Sequence, residues 1–280
     1  MTLAQAMLLA VLQGTSELFP VSSLGHTVIV PALLGWRIDR SAPDFLAFIV
    51  ALHLGTAIAL VVFYRREWGP IVRALWTSVV RGQLSGSAPE RTGWLIVVGT
   101  IPLGILGVFF EAPVRSLFGS TAIVAVFLIM NAAIMFVGEW LKGRTKLRRE
   151  IASLSWKEGV AVGLSQALAL FPGISRSGSA MVAGLLVRLD HEEAAHLSFL
   201  LATPAIGAAS LLEIPRLFGP GPREMLALSA LGAVLAGVTA YLSVAFLTQY
   251  FKSNDLRPFG WYCLIVGVAV FWLAATKRIV

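Results

Sequence analysis

Gln13-Gly14-Thr15-Ser16-Glu17-Leu18-Phe19-Pro20-Val21-Ser22-Ser23-Leu24-Gly25-His26 interrupts a stretch that is otherwise apolar from Leu3 to Leu34. Ser165-Gln166-Ala167-Leu168-Ala169-Leu170-Phe171-Pro172-Gly173-Ile174-Ser175-Arg176-Ser177-Gly178-Ser179 interrupts a second one, Gly159 to Val187, in the same way. Each passes through a Phe-Pro step and then a cluster of hydroxyls. Proline ends a helix because it lacks an N–H and its ring collides with the preceding turn. Broken, polar backbone inside apolar sequence is tolerated only where protein or a water-filled cavity covers it. Ionisable side chains there mark functional sites by default.

The rest of the 280-residue chain explains why these breaks lie at membrane depth. Hydrophobic residues make up 57% and charged residues 13%, with a mean hydropathy of +0.82; soluble domains carry roughly twice that charged fraction. The fold class expected is an all-α polytopic membrane protein. Spans of about 17 to 25 apolar residues, the length that crosses a bilayer, run near Phe45 to Tyr64, Trp94 to Phe110, Thr121 to Leu141, His196 to Ile214, Met225 to Leu247 and Phe259 to Ala275. That gives six crossing helices. The two interrupted regions are read as re-entrant hairpins of half-helices.

The Phe-Pro steps and the helix starts at Phe45-Leu46-Ala47-Phe48 and His196-Leu197-Ser198-Phe199 recur at a spacing of about 150 residues, which is self-similarity worth reading as a repeat. One hairpin plus three crossings is an odd number of traverses, so the second half is expected to be inverted. The division expected is a single membrane domain, 1–280, with a first repeat 1–141, a basic linker 142–158 and an inverted second repeat 159–280. Such repeats place their site near the midplane, where the halves meet.

The net charge of +7 sits between the spans and not on one face of the chain. It therefore reads as a topology signal and an attraction to anionic lipid headgroups, with no nucleic-acid partner. Arg65, Arg66, Arg73, Arg81 and Arg91 follow the first crossing; Lys142, Arg144, Lys146, Arg148, Arg149 and Lys157 fill the linker. Both segments are read as cytoplasmic loops, which opens the first hairpin to the external side. Leu3 to Leu12 lacks a basic leader and is read as retained. Cys263, alone in an apolar span, is read as a small buried hydrophobe.

Within the breaks, Gln13 and Glu17 share one helix face. Ser22 and Ser23 stand where a half-helix restarts and serve as N-cap candidates, with His26 four residues after Ser22. Pro172, Gly173, Ser175, Arg176, Ser177 and Ser179 repeat the arrangement and add a guanidinium, whose planar fork matches phosphate oxygens. Two helix starts, Arg176 and several hydroxyls suit an anion of phosphate type. Glu17 makes sense there by holding a divalent cation, orienting His26 or pairing with Arg176. The nucleophile is Ser22 or Ser23 with His26 as base, or a metal-bound water. A phosphate site inside a bilayer suits a lipid with a phosphate or diphosphate head.

The bland readings differ by residue. Membrane helices use small residues for close packing, which suits Gly99 to Gly107 and Gly232 to Gly237. His53 and His196 are read as structural, and Glu139, Glu192 and Glu193 as solvated helix ends. Trp36, Trp68, Trp94, Trp140 and Trp261 read as interfacial anchors.

Gln13-x-x-x-Glu17, then Pro20-Val21-Ser22-Ser23-Leu24-Gly25-His26, and Pro172-Gly173-Ile174-Ser175-Arg176-Ser177 together resemble the undecaprenyl-pyrophosphate phosphatase (bacitracin-resistance) family of bacterial inner membranes. The resemblance covers essentially the whole chain. It implies hydrolysis of undecaprenyl diphosphate to the monophosphate plus phosphate, which recycles the carrier lipid for wall polymers, and a divalent cation, Mg²⁺ or Ca²⁺. By position it gives Glu17 and Gln13 the metal side, Ser22 or Ser23 the nucleophile role and His26 the base. The phosphate clamp falls to Arg176 with Ser175, Ser177, Ser179 and Gly173. The partners implied are the lipid substrate, bilayer lipids and a second copy of the chain. Leu24 and Ala180 depart from the family's motifs, which have Thr at those places. The rival reading is a transporter or flippase of a polyprenyl phosphate lipid, since transporters share the inverted repeat. The type 2 phosphatidic-acid phosphatases fit poorly, because no His follows Ser175-Arg176 until His191.

Overall fold

The computed structural model describes residues 1–36, 38, 42–115, 119–142, 149–217 and 223–279. Its described elements are helices: α1 Leu3–Ser16, α2 Ser23–Leu33, α3 Pro43–Phe63, α4 Arg65–Arg81, α5 Ala88–Arg115, α6 Thr121–Lys142, α7 Trp156–Ser165, α8 Arg176–Leu186, α9 His191–Leu217, α10 Arg223–Tyr250 and α11 Arg257–Ala275. Six of them, α3, α5, α6, α9, α10 and α11, are long and apolar enough to cross a membrane. The chain is a multi-pass membrane protein.

The two hairpins are α1 with α2 and α7 with α8, each pair packed together. Their local causes repeat. Thr2 and Gln5 form a capping box at the start of α1, as Ser155 and Glu158 do at the start of α7. Ser22 then caps α2 through the Gly25 N–H, and Ser175 caps α8 through the Gly178 N–H. Each such cap contributes about 1 kcal/mol to its helix. A short 3₁₀ turn, Gln166–Leu170, carries the chain from α7 toward its Phe-Pro step. The helix α1 ends a turn before Pro20, with Glu17 as its C-cap residue.

Packing is paired: α1 lies on α10 as α7 lies on α5, while α3 meets α9 and α6 meets α11. Close approach is set by small residues. A side chain at Gly14 would run into the Ala236 backbone of α10, and one at Gly163 into the Gly99 backbone of α5. The innermost crossings are α3 and α9, whose Phe48, Leu52, Phe199 and Leu200 are fully enclosed. Outward, Val108, Phe109, Trp140, Val234 and Ile265 stay uncovered by protein, as side chains facing lipid do.

Two sequence readings change here. The basic stretch after the first crossing is not a loop but the helix α4. Glu139 is not solvated: it is buried, and it accepts from His191 Nε2 at 2.7 Å and from the Leu256 N–H at 3.0 Å. Burial of the helix end against α9 and α11 supplies those donors. Arg37, Arg144, Lys146 and Arg148 lie outside the described residues.

Candidate active site

Ser22 has φ 69°, ψ 98°, a conformation uncommon for any residue but glycine. Holding it costs on the order of 1–3 kcal/mol, and two contacts hold it. Its hydroxyl accepts the Gly25 N–H at 3.2 Å, and its carbonyl accepts His26 Nδ1–H at 2.7 Å. With Nδ1 donating, His26 Nε2 accepts from the Tyr262 hydroxyl of α11 at 2.7 Å. Both ring nitrogens are therefore engaged in structure, and His26 is not among the residues lining the cavity described below.

The kinked Ser22 aims Ser23, the first residue of α2, at Glu17: Ser23 Oγ donates to Glu17 Oε2. Gln13 Nε2 donates to the same oxygen at 2.9 Å, and Arg176 Nη2 reaches Glu17 Oε1 at 3.2 Å. Arg176 occupies in α8 the position that Ser23 occupies in α2, the first after the cap. Its other terminal nitrogen points to Gln166 Oε1 at 3.5 Å. His53, on α3, donates Nδ1–H to the Ile49 carbonyl at 2.9 Å and turns Nε2 to within 3.6 Å of Glu17 Oε2.

The breaks are interlocked. The side-chain hydroxyls of Ser175 and Ser177 donate to the Phe19 carbonyl at 3.5 and 3.1 Å. Fully buried Asn131 of α6 spans both: its Nδ2 donates to the Pro20 carbonyl at 2.9 Å, and its Oδ1 accepts the Ser175 N–H at 3.0 Å. A side chain on Gly25 would touch the Gly173 Cα at 3.2 Å, and one on Gly178 would touch Pro20 at 3.2 Å. Replacing Asn131 by leucine strands one buried acceptor and one buried donor at about 1–3 kcal/mol each. Thermal unfolding of Asn131→Leu in detergent is expected to show a midpoint roughly 10 °C lower, and an unchanged midpoint would dismiss the bridge.

Glu17, Ser22, Ser23, Ser175, Arg176 and His53 form the polar end of a cavity of about 450 Å³. The remaining wall is mostly apolar, including Leu103 and Val108 of α5 and Ile206 of α9. Added side-chain carbons at Gly104 and Gly107 would meet open space. Leu24 adds an apolar side chain to the lining, whereas Ala180 is buried behind it. Gln13, His26, Gly173, Ser177 and Ser179 also stand behind the lining and support it.

Sequence reasoning missed His53 and Asn131. Each is a polar side chain in the middle of an apolar crossing, and that isolation was the signal available. Among the described residues no group of three or more His, Cys, Asp or Glu comes together. Beside the Glu17 carboxylate, however, Gln13 Oε1 is buried with no hydrogen-bond partner.

Half-helices meeting in a bilayer around a serine, a carboxylate and a guanidinium define a class: membrane-embedded proteins that handle a phosphate-bearing lipid. Residues 6–269 match the family described as bacitracin resistance protein BacA, and the chain belongs to that family. Relatives include Undecaprenyl-diphosphatase 2 of Chromobacterium violaceum, 49% identical over 273 residues, which are 96% of this chain and 97% of the relative. Undecaprenyl-diphosphatase of Acidiphilium cryptum is 46% identical over 275 residues, 95% and 96% of the two chains.

Proposed function

We propose that the chain is an undecaprenyl-diphosphate phosphatase. It would release inorganic phosphate from the lipid diphosphate and return undecaprenyl phosphate to wall synthesis. The observation that carries this reading is the hydrogen bond from Ser23 to Glu17 at the head of an apolar cavity, with Arg176 alongside. A transporter needs the anion clamp but no hydroxyl aimed at a carboxylate.

Ser23 is the nucleophile, since the Ser22 hydroxyl is occupied as a cap. The Ser23 oxygen bonds to the terminal phosphorus while the bond from that phosphorus to the bridging oxygen breaks. Undecaprenyl phosphate leaves, and Glu17 takes the serine proton. Water then attacks the phosphoserine, phosphate departs, and the proton returns to Ser23. The forked Arg176 neutralises charge growing on the equatorial oxygens, and the first N–H groups of α8 add donors. His26 acts as a positioning residue by fixing the Ser22 kink.

Glu17, on the cavity wall, would hold a divalent cation, with the partnerless Gln13 Oε1 behind it as a second oxygen donor. When bound it supplies charge neutralisation to the leaving group. The basic segments support a cytoplasmic placement for α4 and the linker. The cavity then opens to the external side of the bacterial inner membrane.

The test is phosphate release from undecaprenyl diphosphate by purified protein in detergent. Wild type should release phosphate with Mg²⁺ and lose that activity under a chelator. Ser23→Ala is expected to lower kcat by at least about a thousandfold, and Ser22→Ala by far less. Release no greater than from a mock preparation would sink the enzyme reading; loss of activity in Ser22→Ala alone would move the nucleophile.

A further inference from the structure

From Ile71 onward the helix α4 presents three main sectors. The inner sector, Ile71, Leu75 and Ser78, packs on α5: a carbon added at Gly93 would meet Leu75 at 2.8 Å and Ile71 at 3.0 Å, and Trp94 Nε1 donates to Ser78 Oγ at 3.0 Å. The second sector is apolar yet uncovered. Val72, Trp76, Val79 and Val80 are 57%, 71%, 62% and 65% exposed. The third carries Arg73, Thr77 and Arg81, which at 100° per residue fall within an arc of about 80°.

Arg73 and Arg81 have no ion-pair partner among the described residues, although an acid is close. They border a cavity of about 610 Å³ together with Thr77, Ser85, Ser87 and Glu90. The Glu90 carboxylate is committed to the loop, accepting from Ser85 Oγ at 2.6 Å and from the Gly86 N–H at 2.9 Å. Gly82, at φ 63°, ends the helix and turns that loop back beneath the arginines. Thus a concave basic patch adjoins an uncovered apolar stripe on one helix.

We propose that α4 and the loop after it form a binding site for an acidic phospholipid, distinct from the reaction cavity. The headgroup phosphate sits between Arg73 and Arg81, and the acyl chains run along Val72, Trp76 and Val80. A helix with a basic face beside a Trp- and Val-bearing face lies in the bilayer interface, and basic side chains at that level favour anionic headgroups. A free inorganic anion would satisfy the arginines but would leave the apolar sector bare. The site therefore takes a lipid.

The full chain is reconstituted in phosphatidylcholine vesicles containing a minor share of brominated phosphatidylglycerol or brominated phosphatidylcholine, and tryptophan quenching is read. Subtracting a Trp76→Phe variant isolates Trp76. Brominated phosphatidylglycerol should quench Trp76 at concentrations about tenfold or more lower, and raised salt should shrink that preference in the wild-type protein. Arg73→Gln with Arg81→Gln should bring the two lipids close to parity, since two basic contacts together account for at most about 30-fold. Equal quenching by the two lipids, or an unchanged preference in the double variant, overturns the site. Abolition of the preference by millimolar inorganic phosphate overturns the lipid as its occupant. The salt titration needs no variant, so a folding defect in the double substitution does not shield the proposal.

Discussion

Arg176→Ala is expected to lower kcat/KM for phosphate release by about a thousandfold or more, the range associated with an arginine that stabilises a transferring phosphoryl group. The side chain has two tasks in the site. It pairs with Glu17 at 3.2 Å, and it presents its fork to the cavity. Alanine removes both and leaves the carboxylate facing the substrate's phosphates uncompensated. Arg176→Lys separates the tasks: it keeps a charge near Glu17 but loses the bidentate geometry, because ammonium is a point charge. The lysine variant should fall between wild type and alanine, with the larger part of its loss in kcat. Full activity in Arg176→Ala would show that phosphate is held by other groups.

The second large effect falls on stability. Gly173 has φ +117°, and a carbon added there would collide with the Val124 carbonyl and approach the Leu128 N–H at 2.8 Å. Those two groups are the acceptor and donor ends of one turn of α6, so relief requires moving a crossing helix. A non-glycine residue in such backbone costs about 1–3 kcal/mol, and overpacking costs another 1–3 kcal/mol. Gly173→Ala should lower the thermal midpoint in detergent by roughly 10 °C. Gly104→Ala, where the added carbon meets nothing within 4 Å, is the control. Equal midpoints for the two variants would refute the role given to the turn.

Much of this architecture is legible before any coordinates, because membrane burial makes polarity expensive and so makes exceptions informative. The six crossings, both hairpins and the meeting of Glu17, Ser23 and Arg176 follow from proline steps and misplaced charges. What escapes is direction and partnership. His26 sits four residues after Ser22, yet only the tertiary fold supplies the Tyr262 hydroxyl that its Nε2 accepts from. His53 resembles a structural imidazole until α3 is placed beside α1. Asn131 is one amide among many apolar residues, and its two partners are 111 and 44 residues away. The segment Arg65 to Arg81 was dominated by its charge, which masked a helical period that three separate surfaces impose.

The bracket formed by Asn131 and the Phe19 carbonyl has a kinetic meaning. Alternating access requires one half to rock past the other, and here that stroke would have to rupture the hydrogen bonds that Ser175 and Ser177 make to Asn131 and Phe19 together. Each such bond broken without replacement strands a buried group at about 1–3 kcal/mol. A motion that broke several at once would add those costs together. The reacting groups thus sit in a frame that the fold has already assembled, with Glu17, Ser23 and Arg176 held in place across the two breaks.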